Sequence, residues 1–278
     1  MFNFLHTFLP HPILVSFGPI TIYWYGLFVV SGIIAAFYII LKLAEYYDLE
    51  KNTIVDIGFW IVLWGIIGAR LYHVGLEFSY YHANPINILK IWNGGLAIHG
   101  AIIVGALTGF YLVKKHEISF WKLAAICAPG LALGQAIGRW GNYFNQELYG
   151  LPTGLPWGIP IDAINKMPEY YNYAFFHPTF LYESIGNIII FLILISLQAW
   201  MINRQKQSDF YLILCVTLYL MLYSCLRFST EFLRIDFTPT LLGLRFPQLM
   251  SLVLFLVSAI FLGLKVKKLR KMNPLKNI

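Results

Sequence analysis

Seven apolar runs of near-span length alternate with short polar stretches along the chain, at roughly 20–41, 54–74, 94–113, 121–139, 178–200, 209–229 and 247–264. About 20 mainly apolar residues carry a helix across a hydrocarbon core of about 30 Å. A chain in lipid must satisfy its own backbone hydrogen bonds, so runs of this kind predict helices. The pattern is that of an all-α integral membrane protein with about seven transmembrane helices. One polar insertion interrupts it, at 141–177, where Pro152, Pro156, Pro160 and Pro168 with Gly154 and Gly158 exclude a long helix. It predicts a small irregular or strand-containing cap on a single polytopic membrane domain covering 1–278.

Composition supports this reading, since 59% of the 278 residues are hydrophobic and only 12% are charged, a balance foreign to soluble domains. Met1 to His11 carries no Lys or Arg and is followed by Pro12, so the start lacks the basic region and cleavage site of a removable signal peptide, and the first span is expected to be retained. Cys127, Cys215 and Cys225 lie within apolar runs without metal-ligand or CxxC spacing. That excludes a zinc site or a disulfide framework and predicts three buried thiols.

Charge sets the orientation. The loops after the first, third, fifth and seventh runs hold Lys42 and Lys51, then Lys114, Lys115 and Lys122, then Arg204 and Lys206, and finally a basic tail from Lys265 to Lys276. Basic residues concentrate on the cytoplasmic side, so the amino terminus is expected outside, the carboxyl terminus in the cytoplasm and the cap outside. The formal charge of +7 then reports topology and attraction to anionic lipid, with no need of a nucleic-acid partner.

Polar residues collect where the fourth run ends, in Gly138-Arg139-Trp140-Gly141-Asn142-Tyr143-Phe144-Asn145-Gln146-Glu147-Leu148-Tyr149-Gly150. An arginine at the centre of a membrane helix is disfavoured by about 2.5–3.5 kcal/mol on insertion scales, so one at a span end calls for an anionic partner or a wet cavity. Other polar groups fall at the same outer level: Tyr25, Arg70, His99, the pair Tyr182 and Glu183, and the series Tyr223, Arg227, Glu231 and Arg234, whose spacing of four, four and three predicts one helix face. Each also has a structural reading. Arg234 could simply pair with Glu231, Tyr25 could belong to an interfacial belt, and Asn142, Asn145 and Glu147 could cap or cross-link helices. His99 could be a helix-packing histidine, and Gly26, Gly100 and Gly150 could permit close packing.

The chain resembles the bacterial prolipoprotein diacylglyceryl transferases from about Trp24 to Gln248. The most specific match is Gly-Arg-x-Gly-Asn-(aromatic)-x-Asn-x-Glu-x-x-Gly, met by Gly138, Arg139, Gly141, Asn142, Asn145, Glu147 and Gly150. Trp-Tyr-Gly at 24–26, Gly-Gly-x-x-x-His-Gly at 94–100, His177-Pro178 with Tyr182-Glu183, and Tyr-x-x-x-Arg-x-x-x-Glu at 223–231 follow in family order. Asn93 and Ala101 depart from it, where an acidic residue and a second glycine are frequent.

The resemblance implies transfer of the diacylglyceryl group of phosphatidylglycerol to the lipobox cysteine thiol of prolipoprotein signal peptides, with loss of glycerol phosphate. This would be the first step of lipoprotein maturation in the bacterial inner membrane. It implies His99, Arg139 and Arg227 as catalytic groups, with Arg139 and Arg227 on the phosphate and His99 as base. Tyr25, Gly100, Arg139, Asn142, Asn145, Glu147, Gly150, Tyr223, Glu231 and Arg234 are implied to bind substrate. No metal or other cofactor is expected, since no motif for one is present. A transporter would instead show repeats or paired broken helices near the midplane. An intramembrane protease would need a Gly-x-Ser-x-Gly motif or an Asp pair, and the sequence has neither.

Overall fold

The computed structural model describes residues 2–18, 20–206 and 208–272. In chain order these form α1 (Phe2–Thr7), β1 (Ile13–Phe17), β2 (Ile20–Tyr23), α2 (Trp24–Tyr46), α3 (Lys51–Leu76), α4 (Phe78–Ala83), α5 (Ile98–Lys115), α6 (Phe120–Phe144), β3 (Ile159–Pro160), β4 (Phe175–Phe176), α7 (Thr179–Asn203), α8 (Asp209–Glu231), β5 (Thr240–Leu241), β6 (Leu244–Arg245) and α9 (Phe246–Met272). Seven helices, α2, α3 and α5 through α9, are long and apolar enough to cross a membrane. The protein is an all-α integral membrane protein. Lys276 of the basic tail lies outside the described residues.

The chain falls into two compact units, one of residues 1–40 with 125–278 and the other of residues 41–124. In the first, Ile20–Tyr23 is not the start of the first span but a strand paired antiparallel with β1. The alternating, β-branched Ile-Thr-Ile-Tyr suits a pleated edge, and the helix starts only at Trp24. Gly32 of α2 and Gly134 of α6 let their helices meet backbone to backbone: a Cβ on Gly32 would lie 2.9 Å from the Gly134 carbonyl oxygen. Small residues serve this purpose in lipid, where burying apolar surface between helices gains little. The interior carries the polarity instead. Asn187, Gln198, Thr217 and Glu231 are buried while Ile34, Leu192 and Ile260 face outward, and Ser184 of α7 donates to Ala136 O of α6 at 2.8 Å.

Between α6 and α7 the chain is irregular, with the short pair β3–β4 and two single 3₁₀ turns at Ala163–Asn165 and Pro168–Tyr170. The helix before it runs to Phe144, so Gly141 to Phe144, expected to open the insertion, are its last turn. Gln146, buried, fixes the segment: its side chain donates to Pro10 O at 2.8 Å and accepts from Asp162 N at 2.6 Å.

In the second unit α3 and α5 pack closely at Gly68 and Gly100, where a Cβ on either would strike the other's carbonyl oxygen. The expected start of the third span at 94 shifts to Ile98 because Gly94 and Gly95 adopt φ of 85° and 74°, values closed to a helix. Arg70, buried near the end of α3, donates to the carbonyl oxygens of Asn87, Ile88, Lys90, Gly94 and Gly95 at 2.5–3.4 Å. It is thus a structural clamp on the chain between α4 and α5. Of the three thiols only Cys215 is buried, and Cys225 is exposed. A thiol on a span can face lipid without loss, so an apolar run alone does not place it inside.

Candidate active site

The polar signature begins on the last turns of α6. Arg139 points from there to the carboxylate of Glu183, one turn into α7, with Nη2 2.5 Å from Oε2. Its Nη1 donates to Asn142 Oδ1 at 3.3 Å, and Asn142 in turn donates to Glu147 at 2.7 Å. Arg227, on α8, reaches the other oxygen of Glu183 at 3.4 Å and holds Glu231, one turn on, at 2.8 Å. Arg234 shares that same Glu183 oxygen at 3.3 Å and binds Asp236 at 2.8 Å. A fourth guanidinium, Arg245 at the end of β6, lies 2.9 Å from Glu231 and 3.4 Å from Asp236, and also donates to the Arg234 carbonyl oxygen.

Four guanidiniums therefore meet three carboxylates, Glu183, Glu231 and Asp236, and Glu147 joins only through Asn142. Glu231 is fully buried and held by charge alone, since neither of its oxygens has an aligned hydrogen bond among the described residues. Arg139 keeps about a fifth of its side-chain surface open, at 20%, whereas Arg234 is closed at 3%. Burial opposes the charged form of Asp236, yet Arg234 and Arg245 outweigh it and hold the carboxyl below its ordinary value. Arg234 likewise stays above its ordinary value despite burial, through Asp236 and Glu183. An ion set with spare donors, partly open and backed by buried acids, can receive a phosphate oxygen anion.

Two expectations change here. Arg234 is not on the helix face of Arg227 and Glu231, because α8 ends at Glu231. A backbone bridge to Gly150 places it instead. Nor does its side chain pair with Glu231, which Arg227 and Arg245 occupy. Gly150 makes that bridge possible: a Cβ there would come within 2.9 Å of Leu233 O and of His177 Cβ.

Residues 12–264 match the family described as prolipoprotein diacylglyceryl transferase. The chain is 42% identical over 258 residues to a phosphatidylglycerol–prolipoprotein diacylglyceryl transferase of Synechococcus sp. (strain CC9902), covering 90% of this chain and 91% of that one. It is 41% identical over 249 residues to the protein of that name from Finegoldia magna, covering 90% and 93%. The chain belongs to the prolipoprotein diacylglyceryl transferase family.

Of the residues implied by likeness to the diacylglyceryl transferases, the first unit brings together Arg139, Asn142, Glu147, Arg227, Glu231 and Arg234 in one connected network. Tyr25 lies against Gly141, 2.9 Å from where a Cβ would stand, within reach of the charges of Arg139 and Glu147. Asn145 closes α6, its N–H on Gly141 O at 3.1 Å. Tyr223 stacks on Tyr219 one turn before Arg227. His99 and Gly100 belong to the second unit, at the first turn of α5, where the His99 ring lies 6.0 Å from that of Tyr72. Sequence reasoning named no site role for Glu183, Arg245 or Asp236. Glu183 carried a signal, an acid five residues into a span after His-Pro. Arg245 and Asp236 carried none, since only the turn back through β5 and β6 brings them to Glu231.

Proposed function

We propose that this protein transfers the diacylglyceryl group of phosphatidylglycerol to the thiol of a lipobox cysteine in prolipoproteins, the modification for which its relatives are named. The observation that carries the proposal is the convergence of Arg139 and Arg227, both from family-matching motifs, on one buried carboxylate. In the reaction, the cysteine sulfur attacks the glyceryl carbon, a sulfur–carbon bond forms, and the carbon–oxygen bond to phosphate breaks. The oxygen keeps the electron pair and leaves as glycerol phosphate. Guanidiniums in a water-poor site are suited to the charge that grows on that oxygen, because their donors are fixed before the reaction starts. A thiol with an ordinary pKa near 8.5 is only a few per cent ionised at neutral pH, so a proton acceptor helps it. His99, in the motif that opens α5, is our candidate for that role. Tyr25, Asn142, Asn145, Gly150 and Tyr223 are proposed to contact substrate beside the guanidiniums, and Gly100 to do so beside His99.

The protein is multi-pass. We propose a bacterial inner-membrane protein of one polytopic domain, and the loop asymmetry of Lys and Arg supports an amino terminus and a 141–177 cap outside and a carboxyl terminus in the cytoplasm. A cysteine introduced at Thr153 is expected to label from outside intact cells. Labelling only after the inner face is opened would reverse this topology.

Mass spectrometry of a lipobox peptide incubated with purified protein and phosphatidylglycerol tests the activity directly. The peptide is expected to gain one diacylglyceryl group on cysteine. No gain, where a known transferase modifies the same peptide, refutes the proposal. His99→Gln is expected to retain phosphatidylglycerol binding and lose turnover, with partial recovery as rising pH ionises more substrate thiol. Loss of lipid binding, or a flat relative pH profile, would move the base elsewhere.

A further inference from the structure

Glu183 is the one group in the cluster that touches three guanidiniums, and it sits where its geometry cannot drift. It is 3% exposed on the second turn of α7. The next residue, Ser184, pins α7 to α6 through its bond to Ala136 O at 2.8 Å, three residues before Arg139. Asn187 Nδ2 donates to the Glu183 carbonyl oxygen at 2.8 Å, one turn further on. The carboxylate is thus a fixed point on a braced helix, and the guanidiniums take their places around it.

The three arginines depend on it unequally. Arg227 keeps Glu231 as a second acid and Arg234 keeps Asp236. For Arg139 the ion pairs of the described residues offer Glu183 alone, and its other contact is the neutral amide oxygen of Asn142 at 3.3 Å. Arg139 and Arg227, the two proposed phosphate ligands, are about equally open, at 20% and 17% of their side-chain surface. Glu183 itself is no phosphate ligand, since two anions would repel at that distance. We infer that Glu183 is a positioning residue for the transfer, whose carboxylate holds Arg139 at the angle from which its free donors meet the phosphate. The inference rests on the phosphate role proposed above for Arg139 and names what makes that role possible.

A side chain that aims a catalytic group acts on the transition state more than on ground-state binding, and it acts through its partner. Glu183→Gln keeps the shape but loses the charge, and brings an amide N–H₂ that can turn toward Arg139. It is expected to lower kcat about ten- to a hundredfold while KM for phosphatidylglycerol changes by less than about threefold. Glu183→Asp, with charge kept on a shorter stem, is expected to recover part of that loss. The decisive measurement is the double variant. Because 183 acts through 139, Glu183→Gln added to Arg139→Lys is expected to cost less than about threefold beyond Arg139→Lys alone.

Rates are taken per folded molecule, counted by monodisperse elution in detergent. If the two losses multiply, or if Glu183→Asp is as poor as Glu183→Gln and both fall in step with the thermal midpoint, Glu183 only holds helices together and the inference is overturned. A fully active Arg139→Lys protein has a different meaning. It refutes the phosphate role of Arg139 itself, as that single variant shows without reference to position 183, and the inference falls with it.

Discussion

Arg139→Lys and Arg227→Lys are each expected to cut turnover by about ten- to a hundredfold, the scale of roughly 1.4–2.7 kcal/mol of transition-state stabilisation. The reason is geometric. Arg139 places Nη2 on Glu183 and Nη1 on Asn142, and Arg227 divides its two terminal nitrogens between Glu183 and Glu231. A guanidinium can hold its acid with one edge and offer the rest of its fork to a phosphate, whereas an ammonium is a single point of charge. Lysine at either position therefore keeps the net charge and loses the simultaneous grip. Turnover of a lipobox peptide with phosphatidylglycerol measures the effect. Full activity in both variants would remove the phosphate clamp from the mechanism while leaving the family membership untouched.

Gly100→Ala is expected to damage the fold before it damages chemistry. A Cβ at that position overlaps the Gly68 carbonyl oxygen and lies 2.5 Å from Tyr72 Cβ. Overpacking typically costs about 1–3 kcal/mol. Here the obstacle is backbone on a neighbouring helix, which cannot rotate away as a side chain would, so the upper part of that range is expected. The thermal midpoint in detergent should drop, and turnover should fall with it, since His99 is the neighbouring residue. An unchanged midpoint with lost phosphatidylglycerol binding would instead show that Gly100 makes room for lipid.

These three positions mark how much of the molecule could be read along the chain. All seven spans were legible because a helix in lipid needs an unbroken apolar run and little else. Their ends were less so: Ile20–Tyr23 is apolar enough for a span yet pairs with β1, and Gly94 and Gly95 count as apolar while bending the chain out of a helix. At the candidate site, Arg139, Arg227 and Glu231 stood out as polar residues at span ends, where polarity is costly, whereas Asn142 and Glu147 were picked out by the resemblance, polarity alone favouring a capping role. Arg234 was found for the wrong reason, since its spacing fitted a helix that stops three residues earlier. Glu183, Asp236 and Arg245 acquire meaning only when α7, α8 and the β5–β6 turn converge. Local spacing holds no record of that convergence.

The Arg70 clamp bears on how this protein tolerates change. Its guanidinium reads carbonyl oxygens, at Asn87, Ile88, Lys90, Gly94 and Gly95, and every amino acid supplies one. Side chains from 87 to 90 can therefore change without removing an acceptor from Arg70, provided the length is kept, and among the described residues the one side-chain tie in that stretch is Asn87 Nδ2 to Tyr80 Oη at 2.9 Å. Gly94 and Gly95 are exceptions, with φ of 85° and 74°, and a Cβ on Gly95 would also lie 2.5 Å from Arg70 Nη1. Deleting one residue between 87 and 94 would pull acceptors out of register with a cation that has no carboxylate partner among the described residues. The segment is a spacer whose length is fixed by geometry more than by its side chains, and one buried arginine keeps the ruler.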